Sequence, residues 1–340
     1  MNRVCDWKDA IIKSDRRFVV PIMTHPGISL CGCTVCEAVT DGYKHAEVIK
    51  KLNDVYPADA STAIMDLTVE AEAFGAEVIF PENEIPSVKG RLVTDRQQVT
   101  NLAVPDLESG RVKAFLTTDR IVRQAICDKP VFAGCIGPFS LAGRLFGMSE
   151  LMMALYIEPD TIQILLDKCT QFLELYIGEI KKTGVAGVII AEPAAGLVSN
   201  DDCYSYSSVY IKKLVSLFQD DDFMIILHNC GNSGHCTDAM VRSDAAALHF
   251  GNQIDMVQAL RDCPSDRLVM GNLDPVGILK MSDPECVYNE TLSLLERTSD
   301  WKNYVLSTGC DVPPHVPEDN IKAFYNAIKK YNSVVKAHKK

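Results

Sequence analysis

The sequence predicts an α/β protein built as a single (β/α)8 TIM barrel with an insertion after the second strand, and three observations support that reading. Eight short apolar runs are distributed along the 340 residues. From the third run onward, each is separated from the next by a segment of helical periodicity, the alternation expected of a parallel sheet made of βα units. No Gly/Ser-rich linker divides the chain, so residues 1–340 read as one barrel domain of ordinary length. An open doubly wound sheet is the rival architecture. Against it, neither G-x-G-x-x-G nor G-x-x-x-x-G-K-[ST] follows the first run, as dinucleotide or nucleotide binding on such a sheet would need.

In chain order the predicted strands are 18–23, 62–66, 131–135, 187–191, 224–228, 246–249, 268–271 and 304–307. They are continuous apolar runs, the pattern of strands buried on both faces. Segment 77–106 breaks the βα rhythm with Val78-Ile79-Phe80, Pro81, Pro86, Pro105 and several charges. It reads as the insertion, with a hairpin in it. After the third run, Ile162, Leu165, Leu166, Cys169, Phe172, Leu173, Tyr176, Ile177 and Ile180 recur at three- and four-residue steps and predict a long amphipathic helix. The last helix begins near Pro317, with Glu318 and Asp319 at its positive end and a stripe of Ile321, Phe324, Ile328 and Tyr331.

Composition narrows the class. Hydrophobic residues at 47% and charged residues at 23% supply a large core and exclude a disordered chain. A net charge of -11 argues against nucleic acid or an anionic membrane as the main partner, since both attract basic surfaces. The first twenty residues lack an apolar stretch of the signal-peptide kind, and no run approaches eighteen apolar residues. Thirteen cysteines, odd in number and irregularly spaced, fit a reducing compartment. The expected location is cytoplasmic.

In a parallel barrel, functional groups collect at the C-terminal ends of the strands. Polar residues at those positions are Asp66 after the second run, Gly137-Pro138-Phe139 after the third and Glu192 after the fourth. His228 and Cys230 end the fifth, Asn272 and Asp274 the seventh, and Cys310 the eighth. In His228-Asn229-Cys230, side chains at i and i+2 of a strand share one side, which sets an imidazole beside a thiol. Cys310, about eighty residues further on, offers a third soft donor. Two cysteines and a histidine make a zinc site with an open fourth position, the arrangement of a catalytic metal. The competing reading is a hydrogen-bonded core histidine with two more buried thiols among the thirteen. Asp66 and Glu192 are candidate acid/base groups or exchangeable zinc ligands, with helix capping as the alternative. Gly137, Pro138 and Phe139 offer backbone amides to an anionic substrate, or form an ordinary turn. Asn272 and Asp274 are further candidate substrate-binding groups. Cys31, Cys33 and Cys36 form a second cysteine cluster with no histidine placed to complete it, which favours packing. His25 and His249 sit at strand ends.

His228-Asn229-Cys230-Gly231, Gly271-Asn272-Leu273-Asp274-Pro275, Ser307-Thr308-Gly309-Cys310 and Pro317-Glu318-Asp319-Asn320-Ile321 resemble motifs of the uroporphyrinogen decarboxylase superfamily. More narrowly they resemble its corrinoid-dependent branch, the methylcobamide:coenzyme M methyltransferases. Residues 65–75, which include Asp66, Glu70 and Gly75, also match that branch, so the resemblance runs from about residue 18 to the end. True decarboxylases of the superfamily carry an arginine-rich M-R-Q-A-G-R motif after the first strand, have histidine where Cys310 stands, and lack the H-x-C pair. Here residues 21–28 contain no arginine. The resemblance implies a (β/α)8 barrel with zinc on His228, Cys230 and Cys310, the set that spacing had suggested.

It also implies a zinc-dependent methyl transfer from a methylcobamide to a thiol acceptor such as coenzyme M. Thiols with an ordinary pKa near ~8.5 are mostly protonated at neutral pH, and coordination deprotonates them. A separate corrinoid protein is the expected partner, because no D-x-H-x-x-G cobalamin signature is present. Two alternatives remain open on the sequence: porphyrinogen decarboxylation, since Asp66 stands near the place of the decarboxylases' essential aspartate, and a non-catalytic corrinoid-binding role.

Overall fold

A computed structural model describes residues 3–337. Nine strands form in chain order: β1 Ser61–Thr62, β2 Val78–Ile79, β3 Ser87–Val88, β4 Val131–Ile136, β5 Gly187–Ala191, β6 Met224–Asn229, β7 Ala247–Phe250, β8 Leu268–Leu273 and β9 Tyr304–Thr308. Seven of them make one curled sheet of order β1-β4-β5-β6-β7-β8-β9, with every neighbouring pair parallel.

Period-two alternation explains why these runs are apolar throughout. Phe132, Ile189, Met224, Ile226, Ala247, Leu268, Met270 and Val305 point to the inside of the curl and form one cluster. Their chain neighbours Val131, Val188, Ile225, Leu227, Leu248, Val269, Tyr304 and Leu306 point outward into the core shared with the helices. Helix Val4–Lys13 adds Val4 and Ile11 to the inner cluster. The long helix Pro159–Lys182 buries all nine residues of the predicted stripe. In Glu318–Ala337, Ile321, Phe324 and Ile328 are buried and Tyr331 packs at the margin.

Two of the eight predicted strands are corrected. Segment 18–23 forms no strand and makes a single parallel bridge, Val19 to Leu306. Pro21 lacks the N–H that would carry the ladder onward. The segment still bonds on both sides: Val20 N–H donates to Leu306 O at 2.9 Å, and Asp59 N–H donates to Val19 O at 2.8 Å. The run 62–66 is strand only through Thr62. Beyond it the backbone donors turn to side chains, Ile64 N–H to His45 Nε2 and Met65 N–H to Asp311 Oδ2. Within 77–106, β2 and β3 pair antiparallel, and helix Arg96–Asn101 follows. Among the described residues no helix is long and apolar enough to cross a membrane.

Candidate metal centre at the C-terminal end of the sheet

The inner face of the sheet changes chemistry toward its C-terminal edge. Two residues beyond the apolar Ile226, Ala247 and Val305, the same face carries His228, His249 and Ser307. His228 and His249 stand opposite each other across the β6–β7 ladder, which places their Nδ1 atoms 2.8 Å apart. His249 Nε2 in turn lies 2.8 Å from Ser307 Oγ. All three residues are buried.

This chain leaves His228 Nε2 as the ring atom without a hydrogen-bond partner, although it is buried. With the proton on Nδ1, a buried imidazole nitrogen in that condition needs a hydrogen-bond donor or a metal. His228, Cys230 and Cys310 offer one donor atom each, all within 4.8 Å of one another. Donors at ~2.0–2.3 Å from a tetrahedral ion stand about 3.3–3.8 Å apart, so rotations of an ångström or so complete the shell. Among the described residues this is the one His/Cys/Asp/Glu group with metal-holding geometry, and Cys31, Cys33 and Cys36 form none.

Electrostatics agree with the geometry. The Cys230 thiol is held below its ordinary pKa because Cys310 donates a hydrogen bond to it, against the opposing effect of burial. Cys310 is correspondingly raised, by that same bond and by burial. The shared hydrogen bond thus favours losing one proton over losing both, and a cation between the sulfurs would favour loss of the second. Close approach of the end of β7 to the Cys230 segment depends on glycine at 251: a Cβ there would meet Cys230 Cα and O at 2.7 Å.

The cluster forms one wall of a cavity of about 190 Å³. Its remaining lining is largely apolar, with Met65 and Leu67 after β1 and Ile85 and Pro86 from the β2–β3 connection, together with Arg144 and Asp311. That volume is below the ~300–1,000 Å³ of pockets that take drug-sized ligands, and it suits a molecule of a few heavy atoms.

The other sequence candidates fall into three groups. Asp66 is buried and fully engaged: Oδ1 accepts from the N–H and Oγ1 of Thr68, and Oδ2 accepts from Arg111 Nη1 at 2.5 Å. Arg111 also pairs with Glu72 at 2.6 Å. Thr68, not Asp66, lines the cavity. Glu192 lies at the end of β5 and accepts from Phe139 N–H, Ser140 N–H and Ser140 Oγ. The Phe139 amide expected to face an anionic substrate thus faces Glu192, at the start of helix Pro138–Phe146. Gly137 permits this approach, since a Cβ would stand 2.3 Å from Glu192 Cδ. Burial raises Glu192 to about 7 despite the bonds from Ser140 and Phe139. Asn272 donates to Gly251 O and Ile254 O, and Asp274 accepts from Val276 and Gly277 N–H, so both organise turns. Neither lines the metal cavity.

Sequence reasoning passed over Arg144 and Asp311. Arg144 closes the helix Pro138–Phe146, where a basic residue reads as a complement to the helix dipole. Asp311 sits beside His25, whose Nδ1 is 3.4 Å from Asp311 Oδ2. Burial alone would lower the His25 pKa, but the Asp311 carboxylate outweighs it and the net direction is upward. The cue for this pair was the strand-end position of His25.

Fold and site together place the protein among parallel α/β folds whose polar side chains gather at the carboxyl ends of the strands. Within that class the chain belongs to the uroporphyrinogen decarboxylase (URO-D) family, whose model matches residues 15–331. It is 27% identical over 299 residues to a methylcobamide:CoM methyltransferase (MtbA) of Methanosarcina mazei, covering 87% of this chain and 86% of that protein. It is 26% identical over 285 residues to the uroporphyrinogen decarboxylase of Serratia proteamaculans, covering 80% and 79%. Among solved structures, a methyltransferase from Methanosarcina mazei superposes with a TM-score of 0.84 at 22% identity, covering 97% of this chain and 99% of that one. A B12-independent methionine synthase from Shewanella sp. W3-18-1 shares the fold more distantly, with a TM-score of 0.57 at 13% identity over 87% and 89% of the two chains.

Proposed function

We propose that this protein is a zinc-dependent methyltransferase that moves a methyl group from a methylated corrinoid to a small thiol. The carrying observation is the cluster of buried His228 with half-buried Cys230 and Cys310, with its unpartnered His228 Nε2, on the wall of a cavity sized for a small molecule. Likeness to a methylcobamide:CoM methyltransferase over 87% of the chain supports the donor and acceptor classes. We also infer that the chain is one (β/α)8-barrel domain, in which segment 18–23 serves as the eighth stave through its bonds to Leu306 and Asp59.

His228, Cys230 and Cys310 would hold a zinc ion, which would supply a Lewis acid that favours the thiolate form of an acceptor thiol. The chain's own groups prepare that site. His249 and Ser307 fix the His228 ring so that Nε2 faces the cysteines. The apolar residues Met65, Leu67, Ile85 and Pro86 exclude water, which keeps a bound sulfur nucleophilic. In the transfer the S–CH3 bond forms and the Co–CH3 bond breaks, with the electron pair remaining on cobalt. The corrinoid is too large for the cavity and is presented at its mouth by a separate corrinoid protein.

Porphyrinogen decarboxylation is the second reading, because decarboxylases are also among the relatives. The structure disfavours it at Asp66, whose carboxylate is consumed by Thr68 and Arg111. Metal analysis coupled to demethylation of methylcobalamin by a thiol tests the proposal. About one zinc per chain is expected, with loss of both zinc and demethylation in Cys310→Ala. A metal-free protein with full activity overturns it, and turnover of a porphyrinogen without metal establishes the decarboxylase instead. Tight cobamide binding with no methyl loss to any thiol would establish the non-catalytic corrinoid-binding role.

A further inference from the structure

Two buried thiols meet away from the metal cluster. Helix Asn200–Cys203 follows β5 and helix Thr237–Arg242 follows β6; Cys203 ends the first, and Cys236 stands directly before the second. Both side chains are buried, and the Cys203 thiol hydrogen-bonds to that of Cys236. The contact is fixed from several directions. Cys236 Sγ lies 3.5 Å from Ala195 O and 3.4 Å from Val198 O, and His235 Nε2 lies 3.0 Å from the same Val198 O. Asn200 Oδ1 accepts from Ala239 N–H at 3.0 Å, which ties the two helices together. At the other end of this seam, Gly196 and Gly231 bring backbone against backbone, with no room for a Cβ at either. The seam therefore joins Pro193, on the cavity wall, to the loop that carries Cys230.

We propose that Cys203 and Cys236 form a reversible disulfide, a redox clip that locks segment 193–203 onto segment 229–236 and so onto the loop of Cys230. This goes beyond methyl transfer and does not depend on it. Thiols already at hydrogen-bonding distance need little backbone movement to join. The oxidant is a low-molecular-weight disulfide. The bond from Cys203 holds Cys236 below its ordinary pKa against burial, so Cys236 ionises and attacks a sulfur of that disulfide, releasing one small thiol. Cys203 then displaces the second small thiol from the mixed disulfide. Two protein thiols are oxidised to one S–S bond, and the small disulfide is reduced to two thiols that take up the two protons. Burial makes the reaction wait on local opening. Helix Asn200–Cys203 is a single turn that runs into a π-helical turn at Tyr204–Ser208, and short irregular turns open at lower cost than long helices.

The test equilibrates the native full chain in glutathione buffers of rising glutathione disulfide content, alkylates the remaining thiols and maps peptides without reduction. A peptide linked through Cys203 and Cys236 is expected, and dithiothreitol removes it. Oxidation is expected to raise Tm by roughly 5 °C, because the bridge closes the loop 203–236 in the unfolded chain, and Cys203→Ala and Cys236→Ala abolish the rise. The mapping is done on wild type and decides by itself where an alanine variant fails to fold. Recovery of both cysteines alkylated, in a buffer that glutathionylates exposed Cys127, overturns the proposal. So does a 203–236 bridge that forms only in urea, pairing of either cysteine with another, or a bridge that leaves Tm unchanged.

Discussion

Replacing His249 by alanine tests how the metal centre is oriented. With Nε2 of His228 directed to the cysteines, Nδ1 carries the proton and donates to His249 Nδ1 at 2.8 Å, and His249 passes its own Nε2–H to Ser307 Oγ at 2.8 Å. This assignment requires a neutral His249, and burial together with the neighbouring His228 holds its pKa well below the ordinary value. In His249→Ala the His228 N–H is left buried without an acceptor, a loss of about 1–3 kcal/mol. Outer-shell partners of metal-bound histidines contribute about 10–100-fold to metal affinity, the same range of about 1.4–2.7 kcal/mol. Zinc competition against a chromogenic chelator at neutral pH is therefore expected to show a 10–100-fold weaker complex. Ser307→Ala keeps the histidine pair and is expected to weaken binding by less than about tenfold. A His249→Ala protein with wild-type circular dichroism and wild-type zinc affinity would refute the orientation argument.

Two further predictions concern stability. Glu70 is buried with its pKa raised to about 8, chiefly by burial, and buried Asp119 is raised to about 7 by the same cause. Both folded-state values lie above the unfolded ones, so the native state holds protons that the unfolded chain releases. Their stabilising contribution is complete below about pH 4 and is lost as pH rises to about 8. Glu70 alone accounts for up to about 5 kcal/mol across that range, from ~1.4 kcal/mol per pKa unit. Urea unfolding from pH 5 to 9 is expected to show a shallower decline in Glu70→Gln, and parallel curves would contradict the assignment. Arg111→Ala leaves Asp66 and Glu72 without their cation and is expected to destabilise by about 3–5 kcal/mol in urea at pH 7. A loss under about 1 kcal/mol would mean that the network is solvated.

Much of the fold was legible because both faces of the sheet are buried. Six of the eight predicted runs became strands of the main sheet within a residue or two, and the nine-residue stripe of Pro159–Lys182 is buried throughout. The misreadings fell where hydrogen bonding, not hydropathy, sets the outcome. Segment 18–23 is apolar enough for a strand, but Pro21 breaks the ladder, and the chain after Thr62 gives its amides to His45 and Asp311.

At the site, the sequence by itself determined the residue types and their parity. His228 and Cys230 are two apart on a strand, and Cys310 ends another, so periodicity alone placed soft donors at one edge of the sheet. Only the tertiary structure decided which polar residues meet. It joined His228 to His249 and Ser307, enclosed Asp66 with Arg111, turned Phe139 N–H toward Glu192, and brought Arg144 to the cavity from the end of a helix. The physical reason is that local periodicity fixes the face a side chain occupies. The partner that satisfies a buried donor or charge comes from elsewhere in the chain, at a position that only the three-dimensional packing selects.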